Sequence, residues 1–242
     1  MVTDHIVTAY NDELADLNNK IAHMGGLAEE QFGQALDALK RQDTELADIV
    51  IAADRRIDTL EREIEEQAIL LFTKRQPMAQ DLREVVTAIR IASDLERIGD
   101  LAKNIAKRIH ALTDDRPVQI LSGLGNMGRQ ALEQIKNVLD AHTERNPEKA
   151  LEVWRRDEEI DAKYNSLFRE LLTYMMEDPR NIGICTHLLF GAKNIERIGD
   201  HATNIAENVY YLVHGITLDD VRPKSDTTSS TQINYDSQAG DR

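Results

Sequence analysis

The feature that most constrains this chain is that it says one thing twice. Leu95-Glu96-Arg97-Ile98-Gly99-Asp100, closed by Asn104-Ile105-Ala106, returns as Ile195-Glu196-Arg197-Ile198-Gly199-Asp200, closed by Asn204-Ile205-Ala206, a shift of 100 residues. A second echo precedes it: Asp54-Arg55-Arg56-Ile57-Asp58 returns as Asp157-Glu158-Glu159-Ile160-Asp161, a shift of 103 residues. Two loci in the same order at nearly the same spacing mark a duplicated unit of about a hundred residues. Any fold for this chain must supply each unit with the same local scaffold.

Apolar residues recur three and four apart through most of the chain, the spacing of one helix face. Tyr10, Leu14, Leu17, Ile21 and Met24 carry it through a first helix over about 4–40; Leu46, Val50, Ala53, Ile57 and Leu60 through a second from the cap Asp43. Val85, Ile89, Ala92, Ile98 and Ala102 carry a third over about 78–112. The second unit repeats the grammar over about 118–142, 147–176 and 182–213, with Asn146-Pro147 as a cap-and-proline start and Asp178-Pro179 as punctuation. Gly25-Gly26 marks either a kink or a close helix crossing. The expected fold is all-α: two tandem three-helix bundles over 1–114 and 115–218, each about 50 Å long at 1.5 Å per residue. From 219 to 242 the composition turns to Pro, Lys, Ser, Asp, Thr and Gln, which reads as a disordered polar tail.

Composition narrows function by exclusion. The formal net charge of −14 argues against extended contact with nucleic acid or an anionic membrane, because phosphate binding needs clustered Lys and Arg. One cysteine, Cys185, forbids an intrachain disulfide and reads as a small core residue in the apolar run 184–190. Neither a signal-peptide pattern nor a window of about 18 apolar residues is present, so a cytoplasmic location is expected. No phosphate-binding glycine loop, nucleophile elbow or Cys-based zinc spacing occurs, and no catalytic machinery is read.

The chemistry-bearing pattern is acidic. Residues four apart share a helix face, so Glu96 stands with Asp100, and Asp54 with Asp58 beside the seam residue Ile57. Antiparallel packing of the second and third helices would bring both pairs together; Asp157, Asp161, Glu196 and Asp200 repeat the arrangement. Like charges at this spacing repel. A hard cation such as Mg²⁺, Mn²⁺ or oxidised iron would relieve that repulsion, since such ions take oxygen donors. The plainer reading is that Arg97, Arg197, Lys103 or Arg55 pairs with these acids. Gly99 and Gly199 sit inside the helices at a cost of roughly 0.5–1 kcal/mol each. They imply a close backbone approach or room beside the carboxylates, with simple helix packing as the alternative. A ferritin-type di-iron site would need a His where Gly99 and Gly199 stand; His201 falls about 100° round the helix.

The doubled Glu-Arg-Ile-Gly-Asp motif, with Asp-x-x-Ile-Asp one helix earlier and the run Glu84 to Asp100, resembles the PhoU family over about residues 5–215. The resemblance implies bundles whose acidic motifs bind Mg, Mn, Fe or Zn. Carried onto this chain, the metal ligands would be Asp54, Asp58, Glu96 and Asp100, and Asp157, Asp161, Glu196 and Asp200. It also implies a dimeric, non-enzymatic, negative regulator of phosphate uptake and of the phosphate-starvation response. The partners would be the ATPase subunit of the phosphate importer and the phosphate-sensing histidine kinase, with the membrane reached only through them. A carboxylate-bridged metalloenzyme and a purely structural helical protein are the competing readings. Asn194 in place of Asp94, and Tyr164 in place of Glu61, leave the second unit with fewer acids and the expectation of weaker metal binding.

Overall fold

The computed structural model describes residues 2–75, 77–112, 118–218 and 228, and among these every regular element is helical. Helices α1 (Val2–Arg41), α2 (Thr44–Arg75) and α3 (Gln80–Ile109) pack on one another as the first bundle. Helices α4 (Val118–Glu144), α5 (Pro147–Arg155), α6 (Asp157–Glu177) and α7 (Ile182–His214) form the second, with a short 3-10 turn at Pro179–Asn181. The anticipated break at 113–117 and the tail at 219–242 lie outside the described residues, Thr228 excepted.

The same turn joins the first two helices of each half. Gln42 and Arg145 take left-handed backbone angles (φ 59° and 50°). The next amide closes back on the preceding helix, Asp43 N–H to the Ala38 carbonyl (3.0 Å) and Asn146 N–H to that of Ala141 (2.9 Å). Asp43 Oδ1 then accepts from the Leu46 amide (2.9 Å), and Asn146 Oδ1 from that of Lys149 (3.0 Å), so both expected caps are in place. Asp178 Oδ1 likewise accepts from the Arg180 amide (2.9 Å) ahead of Pro179.

One expectation fails. The helix expected over 147–176 is interrupted at Arg156 and forms two, α5 and α6. The Arg156 carbonyl accepts from the Glu159 amide three residues on (3.2 Å) and from Gln134 Nε2 of α4 (3.1 Å). The turn is thereby tightened immediately ahead of Asp157.

The halves are joined along two antiparallel helix pairs. In the α1–α4 pair, Leu139 lies over Gly25 and Leu36 over Gly128 so closely that a β-carbon at either glycine would strike the leucine tip. Gly25 therefore serves a helix crossing; α1 runs through it without a break. Gly26, by contrast, faces open space. Gly26→Ala is expected to stabilise the fold by about 0.5–1 kcal/mol through helix propensity, and Gly25→Ala to gain nothing. Paired urea melts of the two variants check this.

In the α3–α7 pair, Asp94 Oδ1 meets His201 Nδ1 (2.9 Å) and accepts from Asn204 Nδ2 (3.2 Å). The Arg108 guanidinium lies 4.5 Å from the Phe190 ring centre. Glu84, buried in α3, is bound by Arg145 beyond α4 and by Asn18 Nδ2 of α1 (2.5 Å). A single apolar core runs through both halves, and Cys185 lies within it as expected, its thiol pushed up by burial.

Candidate functional site

The apolar seam carries the acids inward. Ile57 and Ile160 are core residues; one turn before Ile57, and three residues before Ile160, stand Asp54 and Asp157, exposed by only 4% and 2%. On the facing helices the paired motif places Glu96 and Asp100 in α3 and Glu196 and Asp200 in α7. The expected close approach at the motif glycines is present. A β-carbon on Gly99 would lie 3.0 Å from Ile57 Cδ1 and from Gln31 Oε1, and one on Gly199 would lie 2.9 Å from Ile160 Cδ1. Each glycine lets the acid-bearing helix of its own half come near.

In the first half, Lys103 is the centre of the arrangement. Its ammonium donates to Asp54 of α2 and to Asp100 Oδ1 of α3 (2.6 Å), and that pairing holds the Lys103 pKa above the ordinary lysine range despite burial. Gln31 Nε2 of α1 donates to Asp54 Oδ1 (3.3 Å) and to the Val50 carbonyl (3.2 Å). Glu96 is pushed up to about 7, first by burial and then by Asp100 and Glu61, with Asp58 adding to them and Arg97 opposing. Arg97 stands 3.6 Å from Glu96 and 3.9 Å from Asp100.

The second half is built differently. Thr203 replaces Lys103, and its hydroxyl lies 3.0 Å from Asp157 Oδ1 and 3.1 Å from the Gly199 carbonyl. Asp161 and Glu196 are buried, the latter exposed by 5%. Lys193 donates to Glu196 Oε1 (2.7 Å), while Glu196 Oε2 has no hydrogen-bond partner. Burial, with Asp200 and Asp161 nearby, pushes Glu196 up to about 7 against the pull of Lys193.

Asp54, Asp100 and Lys103 are thus in contact, Asp58 acts electrostatically on Glu96, and Asp161 and Asp200 act on Glu196. Glu96 with its acidic neighbours and Glu196 with its own occupy equivalent places in the two halves. Among the described residues, however, no three His, Cys, Asp or Glu side chains stand close enough to hold one ion. Asp94 proves to belong to the contact between halves, where it meets His201 and Asn204.

Two participants escape the acidic pattern. Gln31 and Gln134 are buried at equivalent positions, and the amide oxygen of each lacks a partner. Their spacing of 103 residues, the same as that of Asp54 and Asp157, is the signal that finds them. The unpartnered buried oxygens are divided between the halves, Gln31 Oε1 in the first and Gln134 Oε1 with Glu196 Oε2 in the second. Oxygen is the ligand type of hard cations, but neither half brings three acidic side chains together around one point.

The PhoU domain matches the chain twice, over residues 21–109 and 124–209. The chain belongs to the PhoU family. Both copies of the domain contain their half's Asp-x-x-Ile-Asp and Glu-Arg-Ile-Gly-Asp motifs. Among relatives, the phosphate-specific transport system accessory protein PhoU homolog of Rhizobium meliloti is 56% identical over 227 residues, 93% of this chain and 96% of that protein. The homolog of Caulobacter vibrioides is 51% identical over 94% of this chain and its own full length. The crystal structure of PhoU from Pseudomonas aeruginosa superposes with a TM-score of 0.81 at 38% identity, covering 86% of this chain and 100% of that one. Two helical PhoU units are therefore the fold, with the middle helix of the second divided into α5 and α6. No described helix is long and apolar enough to cross a membrane.

The raised Glu196 carboxyl predicts a pH effect. Between about pH 4.5 and 7 the folded metal-free protein holds a proton that the unfolded chain has released, so this group's ionisation lowers stability as pH rises through that window. In chelator, Glu196→Gln is expected to exceed the parent in stability by about 1–2 kcal/mol near pH 8, the difference fading below about pH 4.5. Denaturant titrations at the two pH values measure it.

Proposed function

We propose that this chain is an accessory regulator of a phosphate-specific transport system: a non-enzymatic adaptor that restrains phosphate uptake and the starvation response when phosphate is plentiful. The observation that carries the reading is the double PhoU match, together with relatives half identical over almost their whole length and named as accessory proteins of phosphate-specific transport. The adaptor acts in the cytoplasm and reaches the membrane through the importer's ATPase subunit and a phosphate-sensing histidine kinase. Exposed apolar side chains at one end of the first half, Ile69, Leu70, Met78 and Leu82, offer a surface for such a partner or for a second copy in a homodimer.

Metal belongs to the same proposal. Asp54, Asp58, Glu96 and Asp100 in one half, and Asp157, Asp161, Glu196 and Asp200 in the other, are the residues that would hold Mg, Mn, Fe or Zn. Their support is that all are oxygen donors, that Asp54, Asp157, Asp161 and Glu196 are buried, and that Glu196 Oε2 has no hydrogen-bond partner. The ion would supply positive charge that neutralises the acids and pins the facing helices. The chain's own residues set the rest: the glycines bring the helices near, Gln31 donates to Asp54, and Gln134 donates to the Arg156 carbonyl just ahead of Asp157.

Deleting the gene is expected to raise a phosphate-starvation reporter about tenfold or more in phosphate-replete cells, with restoration by the full-length chain. A reporter that stays repressed after deletion would overturn the regulatory reading.

A further inference from the structure

The connection leading into the last helix differs between the halves. Pro77 and Pro179 stand at the same place in the repeat, 102 residues apart. In the second half Asp178 Oδ1 accepts from the Arg180 amide (2.9 Å), Asn181 N–H closes on the Asp178 carbonyl (2.9 Å), and a relaxed 3-10 turn leads into α7. In the first half Gln76 stands where Asp178 does, and α3 begins with no side-chain cap. Ala79, one residue before α3, takes φ 51° and ψ −111°, the angles that glycine supplies at the first central position of a type II′ turn. Strained backbone of this kind gathers at clamps and contact sites. The side chains differ too. Where the second half has Arg180, paired with Asp178, the first has Met78, 80% exposed. Leu82 in the first turn of α3, and Ile69 and Leu70 in the last two turns of α2, are exposed beside it, as is Lys74.

We propose that this tip, with Met78 held out by the Ala79 turn and flanked by Ile69, Leu70 and Leu82, enters an apolar cleft of a partner protein, where Lys74 meets acidic groups at the rim. The inference rests on the reading that the chain is an accessory of a phosphate-specific transport system, and it takes that importer's ATPase subunit as the partner. Methionine's unbranched, polarisable chain fits irregular or aromatic-lined clefts. Fixing its position beforehand removes part of the ordering cost of binding. That is the use of the strained turn: Pro77 and Ala79 set the residue between them before the partner arrives. A bilayer fits the tip poorly, since one lysine on a chain of net charge −14 gives little hold on lipid headgroups. A second copy fits poorly as well. The broad groove between α4 and α6 is walled by Arg129, Glu133, Glu159 and Lys163, a polar receptacle for an apolar tip.

Binding of the full-length chain to the immobilised ATPase subunit tests the proposal, with self-association followed by sedimentation and the fold by thermal melting. Met78→Asp is expected to weaken binding about tenfold or more and to leave the melting temperature within about 2 °C, since the side chain is already in water. Ala79→Gly is expected to act in opposite directions. The melting temperature rises by about 2 °C or more as strain is relieved, while binding weakens about three- to fivefold because Met78 is no longer held. In the deletion strain, Met78→Asp made at the parent level is expected to leave the starvation reporter derepressed. Unchanged binding in Met78→Asp would overturn the tip as the docking element and leave the transport reading standing. Loss of self-association in that variant, with ATPase binding intact, would assign the tip to a second copy and overturn the proposal equally. A parent chain that does not bind the ATPase subunit would overturn both the proposal and that choice of partner, with the deletion reporter still deciding the regulatory reading.

Discussion

Lys103→Met is expected to cost the metal-free protein about 2–4 kcal/mol. The substitution keeps the aliphatic length of the side chain and removes only its charge. Asp54 is then left buried with a neutral amide, that of Gln31, as its remaining donor. Breaking a buried pair by removing one member leaves an uncompensated charge, at about 3–5 kcal/mol when the pair is fully buried. Asp100 is partly exposed, which softens its share. The double variant Asp54→Asn with Lys103→Met should recover much of the loss, because the stranded charge has gone. Urea unfolding of the two variants and the parent, in chelator, measures both terms. A single-variant loss below about 0.5 kcal/mol would mean that the ammonium is not holding the two helices.

Phe32→Ala should be comparably severe, at about 3–5 kcal/mol, through loss of apolar burial and the cavity left behind. Phe32 is among the largest fully buried side chains and lies in α1 within the common core. For a chain of this size the change should lower the melting temperature by about 10 °C. Phe190→Ala is the control. That ring is half exposed, stacked beneath Arg108, and its removal should cost about 1 kcal/mol or less. Equal losses at the two positions would contradict the placement of the core.

The parts of this fold that depend on near neighbours in the chain were readable before any coordinates. Asp43 and Asn146 cap helices because their side chains serve amides three residues on. The motif glycines raised a close approach as one reading, because glycine inside a helix at the same place twice costs stability, and the structure shows that approach. What lay beyond reach depends on which helix covers which face. The interruption at Arg156 accompanies a hydrogen bond from Gln134, a residue of another helix. Asp94 looked like a further acid of the cluster because it precedes Glu96 by two residues; the antiparallel α3–α7 packing turns it to His201 and Asn204 instead. Lys103 stood among the cations able to pair with the acids, but only the α2–α3 register shows that it joins Asp54 to Asp100. The comparison with Thr203 was in the repeat all along, and acquires meaning only once Lys103 is seen to occupy the space between the helices.

That packing also explains how one sequence pattern can serve two purposes. The duplication gives both halves the same acids, glycines and glutamines, while the cations differ: Lys103 joins Asp54 to Asp100 in the first half, and in the second Thr203 meets Asp157 and Lys193 meets Glu196.

The carboxylates repeated once per half are proposed to hold a cation in this PhoU-family protein. An anomalous difference map from crystals grown with Mn²⁺ and without chelator tests it most directly. A peak between α6 and α7, bounded by Glu196, Asp161 and Asp200, is the predicted result. A map with manganese only on the outer surface, and none beside those carboxylates or beside Glu96 and Asp100, would contradict it.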